Sequence, residues 1–167
     1  MFKNIDITNS FANPIDKIGK EWTLISAGDI SNFNMMTASW GGVGFLWNKP
    51  VVFIFVRPNR YTFELIERQP VFTLSFFAPE FKHILSYCGS HSGRDEDKAK
   101  ACNLSAIATS SNSVSFKEAK MYFECRKLYA QEMDEKSFVD IAPLSQWYGK
   151  DPLHKVYVAE ILNAMAK

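Results

Sequence analysis

The chain has 167 residues, enough for one domain with a real apolar core, and its 47% hydrophobic and 22% charged content is ordinary for a globular protein. Nineteen Lys and Arg against eighteen Asp and Glu leave a net charge of +1 and no basic run, which speaks against a nucleic-acid partner. The longest strongly apolar stretch, residues 51–56, is far shorter than the ~20 residues of a spanning helix. The N-terminal segment carries Asn4, Asp6, Asn9, Asn13 and Asp16 in place of an apolar leader, so neither membrane attachment nor secretion is expected.

A first strand is expected over residues 22–27, closed by the turn residues Gly28 and Asp29. Strands over 34–40 and 43–47 follow, and the turn Asn48-Lys49-Pro50 leads into a β-branched and aromatic run, 51–56, that reads as a strand buried on both faces. Residues 61–68 have helical spacing, with Glu64 and Arg68 as an i,i+4 pair, and stop before Pro70. Over 71–77 the pattern alternates, with Phe72, Leu74 and Phe76 on one face and Thr73 and Ser75 on the other.

Pro79 opens a short helix to Tyr87, residues 88–94 form a Gly/Ser loop, and 95–102 make another short helix with acids at its start. Residues 109–113 read as a solvated loop. A strand beginning at Met121 loses its phase near Lys127, where a bulge is expected, and 155–162 is a final buried strand. With no repeat or linker, 1–167 reads as a single domain. Six or seven strands and three short flanking helices suggest a mainly β fold built as an antiparallel barrel. Cys88, Cys102 and Cys125 cannot all pair within the chain and match no zinc spacing, so reduced thiols, a cytoplasmic address and no metal are expected.

Three segments could carry chemistry. In the strand 34–40, alternation sends Asn34, Met36, Ala38 and Trp40 to one side and Met35, Thr37 and Ser39 to the other. The first set could form a platform for a flat ring, and Ala38 with Gly41-Gly42 would let backbone approach it; an ordinary core strand fits the same residues. The second segment, Arg57-Pro58-Asn59-Arg60-Tyr61-Thr62, places two guanidiniums and a hydroxyl at a helix start, an arrangement suited to a phosphate. It also fits a solvated loop with Thr62 as a cap. The third segment runs from Cys88 to Lys98, where Ser92, Gly93, Arg94 and Lys98 offer anion donors on a loop that enters a helix; a flexible surface turn fits the same residues equally well. Gly42-Val43-Gly44 fails the dinucleotide fingerprint, and His83, His91 and His154 show no ligand spacing.

Taken in order, these segments resemble the flavin reductase-like family with its FMN-binding split barrel, in the short flavoredoxin-type branch. The resembling pieces are Asn34 through Gly41, Arg57 through Thr62, and Tyr87-Cys88-Gly89 with Ser92 through Lys98. Phe116-Lys117-Glu118-Ala119 before Phe123-Glu124-Cys125, and His154 through Ile161, support them. The resemblance implies a homodimer with FMN at or near the subunit interface. It places Asn34, Met36 and Trp40 against the ring and ribityl chain, and gives Thr37, Ala38 and Ser39 backbone and hydroxyl contacts. Arg57, Arg60 and Thr62, with Ser92, Gly93, Arg94 and Lys98, would hold the phosphate end. The function expected is an NAD(P)H-dependent FMN oxidoreductase that passes electrons to flavin or another small acceptor; the alternative is an FMN electron carrier served by a protein partner. Because the flavin carries such chemistry, no catalytic acid or base is named.

Overall fold

The computed structural model describes residues 1–11 and 13–167. In chain order its elements are β1 (Lys3–Asn4), α1 (Ile7–Ser10), a π-helical stretch (Ile15–Lys20), β2 (Thr23–Asp29), β3 (Asn32–Ala38), β4 (Gly41–Leu46), β5 (Lys49–Val56) and α2 (Tyr61–Arg68). Then come β6 (Val71–Phe76), a 3-10 turn (Pro79–Phe81), α3 (Lys82–Ser90), α4 (Lys98–Ala101), β7 (Ala106–Ala108) and β8 (Val114–Phe116). The long strands β9 (Met121–Glu132) and β10 (Lys155–Ala166) close the chain, with a 3-10 turn (Glu135–Ser137) and a π-helical turn (Leu144–Tyr148) between them. One antiparallel sheet of eight strands runs β3-β2-β6-β9-β10-β5-β4, with β1 added on β10, while β7 and β8 form a separate hairpin. Among the described residues no ladder joins β3 to β4, so the expected antiparallel barrel is split and not closed. No helix is long and apolar enough to cross a membrane among the described residues.

Residues alternating along the strands build two apolar layers. Ile25, Val52, Ile54, Val56, Phe72, Leu74, Phe76, Phe123 and Tyr157 fill the inner side of the sheet, and Leu65 and Ile66 of α2 pack onto them. Leu24, Met35, Leu85, Cys88, Val114 and Phe116 form the second layer, roofed by α3 and the β7–β8 hairpin. The alternation over 71–76 holds, but Thr73 and Ser75 are as buried as the phenylalanines across from them. Their hydroxyls are satisfied under the hairpin: Thr73 Oγ1 donates to the Val114 carbonyl at 2.5 Å and Ser75 Oγ lies 3.0 Å from Ser115 Oγ.

Several boundaries differ from expectation. The β4–β5 hairpin turns at Trp47-Asn48, one residue early, with both residues at positive φ (50° and 59°) as a two-residue hairpin of this hand requires. Lys49 and Pro50 instead pair with Leu46 and Phe45. Helix α3 continues to Ser90, which takes Cys88 and Gly89 out of the expected loop. The helix expected over 95–102 shrinks to the single turn α4, capped by Asp97, whose side chain accepts from the Lys100 amide at 3.0 Å. The bulge near Lys127 is present: Lys127 pairs with Ala159 and Tyr129 with Val158, leaving Leu128 extra.

The 109–113 loop is not simply solvated. Thr109 and Ser113 are buried, and the loop is latched to β9 through the Glu124 carboxylate, which accepts from Ser110 Oγ at 2.8 Å and Ser111 N at 2.7 Å. Burial alone would raise this carboxyl, but hydrogen bonds from Ser111, Ser110 and Thr109 outweigh it and hold the group below its ordinary value. A depressed carboxyl stabilises the fold above the ordinary glutamate range, and that stabilisation disappears as pH falls through the folded-state value. In Glu124→Gln the amide must present a donor to one of its two former partners. Urea denaturation at pH 7 should show a loss of ~1–3 kcal/mol, shrinking as pH approaches the acid transition. Equal stability of the two proteins at pH 7 would contradict the latch.

Candidate functional site

The three segments singled out in the sequence meet along one groove. Asn34 on β3 donates from Nδ2 to Thr62 Oγ1 in the first turn of α2 at 2.9 Å, and both residues are buried. Gly93 closes over the same carboxamide, because a Cβ at that position would overlap the Asn34 side chain. The platform strand, the helix start and the Ser/Gly loop are thereby in mutual contact.

The groove has two ends. Its polar end is a hollow of about 100 Å³ lined by Asn34, Met36, Arg60, Thr62, Ser90, Ser92, Gly93 and neighbouring groups, none of them acidic. Arg60 is the N-cap residue of α2 and leaves its first-turn amides without a side-chain cap. One guanidinium bond goes to the Gly89 carbonyl at 3.3 Å. A helix amino end, a guanidinium and hydroxyls with no competing carboxylate suit an anion. The other end is a cleft of about 210 Å³ bounded by Met36, Thr37, Ala38, Ser39, Trp40, Phe55, Arg57, Arg60 and His154. Met36 and Arg60 line both ends, so the hollow and the cleft adjoin across these two side chains.

Of the expected donors, Arg57 and Arg94 do not line the polar end, whereas Lys98 lines it with its ammonium already engaged. Lys98 is buried, and its ammonium donates to the carbonyls of Met35 (2.5 Å), Cys88 (3.0 Å) and His91 (3.1 Å). All three of its N–H groups are engaged, so it ties the loop to β3 and α3. Arg94 is ion-paired with Glu64, donates to the Asn59 carbonyl at 3.2 Å, and stands over the Tyr61 ring. It lines an outer hollow of about 400 Å³ that also contains Asp95, Glu96 and Asp97. Arg57 belongs to the aromatic end, where it meets Asp151 at 2.5 Å and the Trp147 carbonyl at 2.7 Å. Thr37 points to α3, donating from Oγ1 to the Leu85 carbonyl at 2.5 Å.

Sequence reasoning did not place His154, Tyr148 or Phe55 in the site. His154 is 8% exposed, with Nδ1 2.9 Å from the Tyr148 hydroxyl and its ring 5.4 Å from Trp40. Burial, with the nearby charges of Arg57 and Arg60, lowers its pKa to about 4, so the imidazole is neutral at pH 7. Its place at the start of the buried run 155–162 was the available signal; the distant Trp40 and Arg57 that complete its surroundings left none.

Comparison with known proteins identifies the family and the fold. Residues 15–166 match the family described as flavin reductase like domain. No curated protein matches the chain. Among solved structures, flavoredoxin from Methanosarcina acetivorans superimposes with a TM-score of 0.71 at 23% identity, covering 99% of this chain and 76% of that one. An FMN-binding domain of a flavin reductases-like enzyme from Shewanella baltica gives 0.71 at 15% identity, over 99% of this chain and 77% of that one. The NADH:FAD oxidoreductase of Streptomyces globisporus, in complex with NAD and FAD fragments, gives 0.65 at 16% identity, over 88% and 74%. At these identities the structural likenesses establish the fold.

Proposed function

The chain belongs to the flavin reductase-like domain family, and on that premise we propose that it binds FMN along the groove and serves as an NAD(P)H-dependent oxidoreductase. The observation that carries this reading is the adjacency of an acid-free polar hollow and an aromatic cleft that share Met36 and Arg60 as walls. A flat ring with a phosphorylated tail has the same two-part chemistry. A bound flavin supplies hydride and single-electron transfer.

The chain's own residues bind and orient it. Arg60, Thr62, Ser92 and Gly93 hold the phosphate, with the α2 amino end contributing its dipole. Asn34 lies along the ribityl side, while Met36, Thr37, Ala38, Ser39 and Trp40 border the ring. Lys98 and Arg94 act by fixing the loop, and Arg57 acts at the ring end. The positive field of Arg57 and Arg60, which also disfavours a charged His154, favours added negative charge in the cleft. Neutral His154, held by Tyr148, offers a hydrogen bond there without a charge. The reading as an FMN electron carrier draws on the flavoredoxin likeness and on Trp40 and Trp147, which stand exposed beside the cleft where a protein partner could approach.

The same exposure supports a homodimer. Trp40, Phe45, Trp47 and Trp147 are exposed, and Phe45 and Trp47 lie on the β4–β5 hairpin at one end of the sheet. A second copy covering this face would remove that apolar surface from water. Light scattering at micromolar concentration should give about twice the chain mass; a monomer that still binds FMN tightly would exclude the interface from the site.

Two measurements test the flavin reading itself. Arg60→Ala should weaken FMN binding by ~1.5–3 kcal/mol, roughly ten- to a hundredfold, while riboflavin binding barely changes. Unaltered FMN affinity in a correctly folded variant would remove Arg60 from the phosphate site. Anaerobic mixing of FMN-loaded protein with NADH or NADPH should bleach the flavin band rapidly. A band stable for minutes would favour the electron carrier.

A further inference from the structure

Cys88 and Cys102 lie on the two elements that bracket the Ser/Gly loop. Cys88 is in α3, almost fully buried, and lines the polar hollow, while Cys102 follows α4 and is partly exposed. Their Sγ atoms are 4.0 Å apart. The chain between them carries His91, Ser92, Gly93, Arg94 and Lys98. Lys98 connects the two cysteines a second time, because its ammonium donates to the Cys88 carbonyl and its own carbonyl accepts from the Cys102 amide at 3.0 Å. The third thiol, Cys125, is fully buried on β9 in the other apolar layer.

We propose that Cys88 and Cys102 form a redox-modification site, joined into a disulfide by a hydroperoxide, and that this bond staples the 91–101 segment over the polar end of the groove. A disulfide is about 2 Å long, so the sulfurs must close by roughly 2 Å. The movement falls to Cys102, which is partly exposed and follows the single turn of α4, whereas Cys88 is buried within the longer α3. The partly exposed Cys102 thiolate attacks the peroxide; an S–O bond forms, the O–O bond breaks and an alkoxide or hydroxide leaves. The Cys88 thiolate then attacks the Cys102 sulfur, an S–S bond forms, the S–O bond breaks and hydroxide leaves. The protons from the two thiols neutralise the leaving groups, so two thiols and ROOH give one disulfide, ROH and water.

Burial pushes the Cys88 thiol up to about 12 and raises Cys102 as well; Glu96 adds to both shifts, and Lys98 opposes them. Thiolate is therefore scarce at pH 7, and cross-linking should accelerate as pH rises toward 9.

The test treats the full chain with excess hydrogen peroxide, blocks residual thiols by alkylation and maps the digest without reduction. The expected product is a peptide pair linking Cys88 to Cys102, lighter by two hydrogens and separated by dithiothreitol. Cys125→Ser should still form it, and Cys88→Ser and Cys102→Ser should not. Hydrogen exchange of amides 91–101 should slow several-fold on oxidation. Two thiols that stay alkylatable, or Cys102 carried to sulfinic acid without a cross-link, would overturn the site. A cross-link that leaves that exchange unchanged would overturn the staple. Where the groove holds FMN, the staple should also slow its release; this consequence rests on the proposed function, and failure to bind FMN at all would refute that reading while leaving the cross-link result intact.

Discussion

A buried ammonium held by three backbone carbonyls organises the site. Removing Lys98 from water carries a large desolvation cost, and burial lowers its pKa accordingly. The three carbonyls of Met35, Cys88 and His91 offset that cost only while β3, the end of α3 and the loop stand in one arrangement. That arrangement brings Gly93 against Asn34, and Asn34 against Thr62, so one cation fixes the relation between three segments distant in sequence.

The rest of the fold holds the other wall. Helix α2 is anchored at its far end, where Glu67 accepts from Lys155 Nζ at 2.6 Å and Tyr157 Oη at 2.8 Å on β10. With Leu65 and Ile66 in the core, this aims the amino end of the helix at the hollow. Strand β10 also brings His154 to the opposite end of the groove, beside Trp40 and Phe55. The sheet thus carries the polar end and the aromatic end on one rigid frame, a condition for holding an elongated ligand without reorganisation.

Much of this was legible in the sequence where local rules dominate. Helix 61–68 matched to the residue because its periodicity and Pro70 agree, and the phase slip near Lys127 marked a real bulge. Local rules failed where a distant element supplied the partner. Thr73 and Ser75 read as a polar face, yet the β7–β8 hairpin covers them and takes their hydrogen bonds. Ser110 and Ser111 read as solvated because Glu124 lies far along the chain. The segments of the groove could be picked out by composition and resemblance. The division of labour among their cations could not, since Arg57 finds Asp151, Arg94 finds Glu64 and Lys98 finds three carbonyls only in the folded chain.

On the proposed function, a phosphate-bearing flavin lies with its tail in the acid-free hollow and its ring in the aromatic cleft. A crystal structure of the protein grown with FMN tests it most directly. Phosphate density is expected between Arg60, Thr62 and the Ser92-Gly93 backbone, with the ring bordered by residues 36–40. FMN bound with its phosphate away from the α2 amino end, or density only in the outer hollow beside Asp95, Glu96 and Asp97, would contradict it.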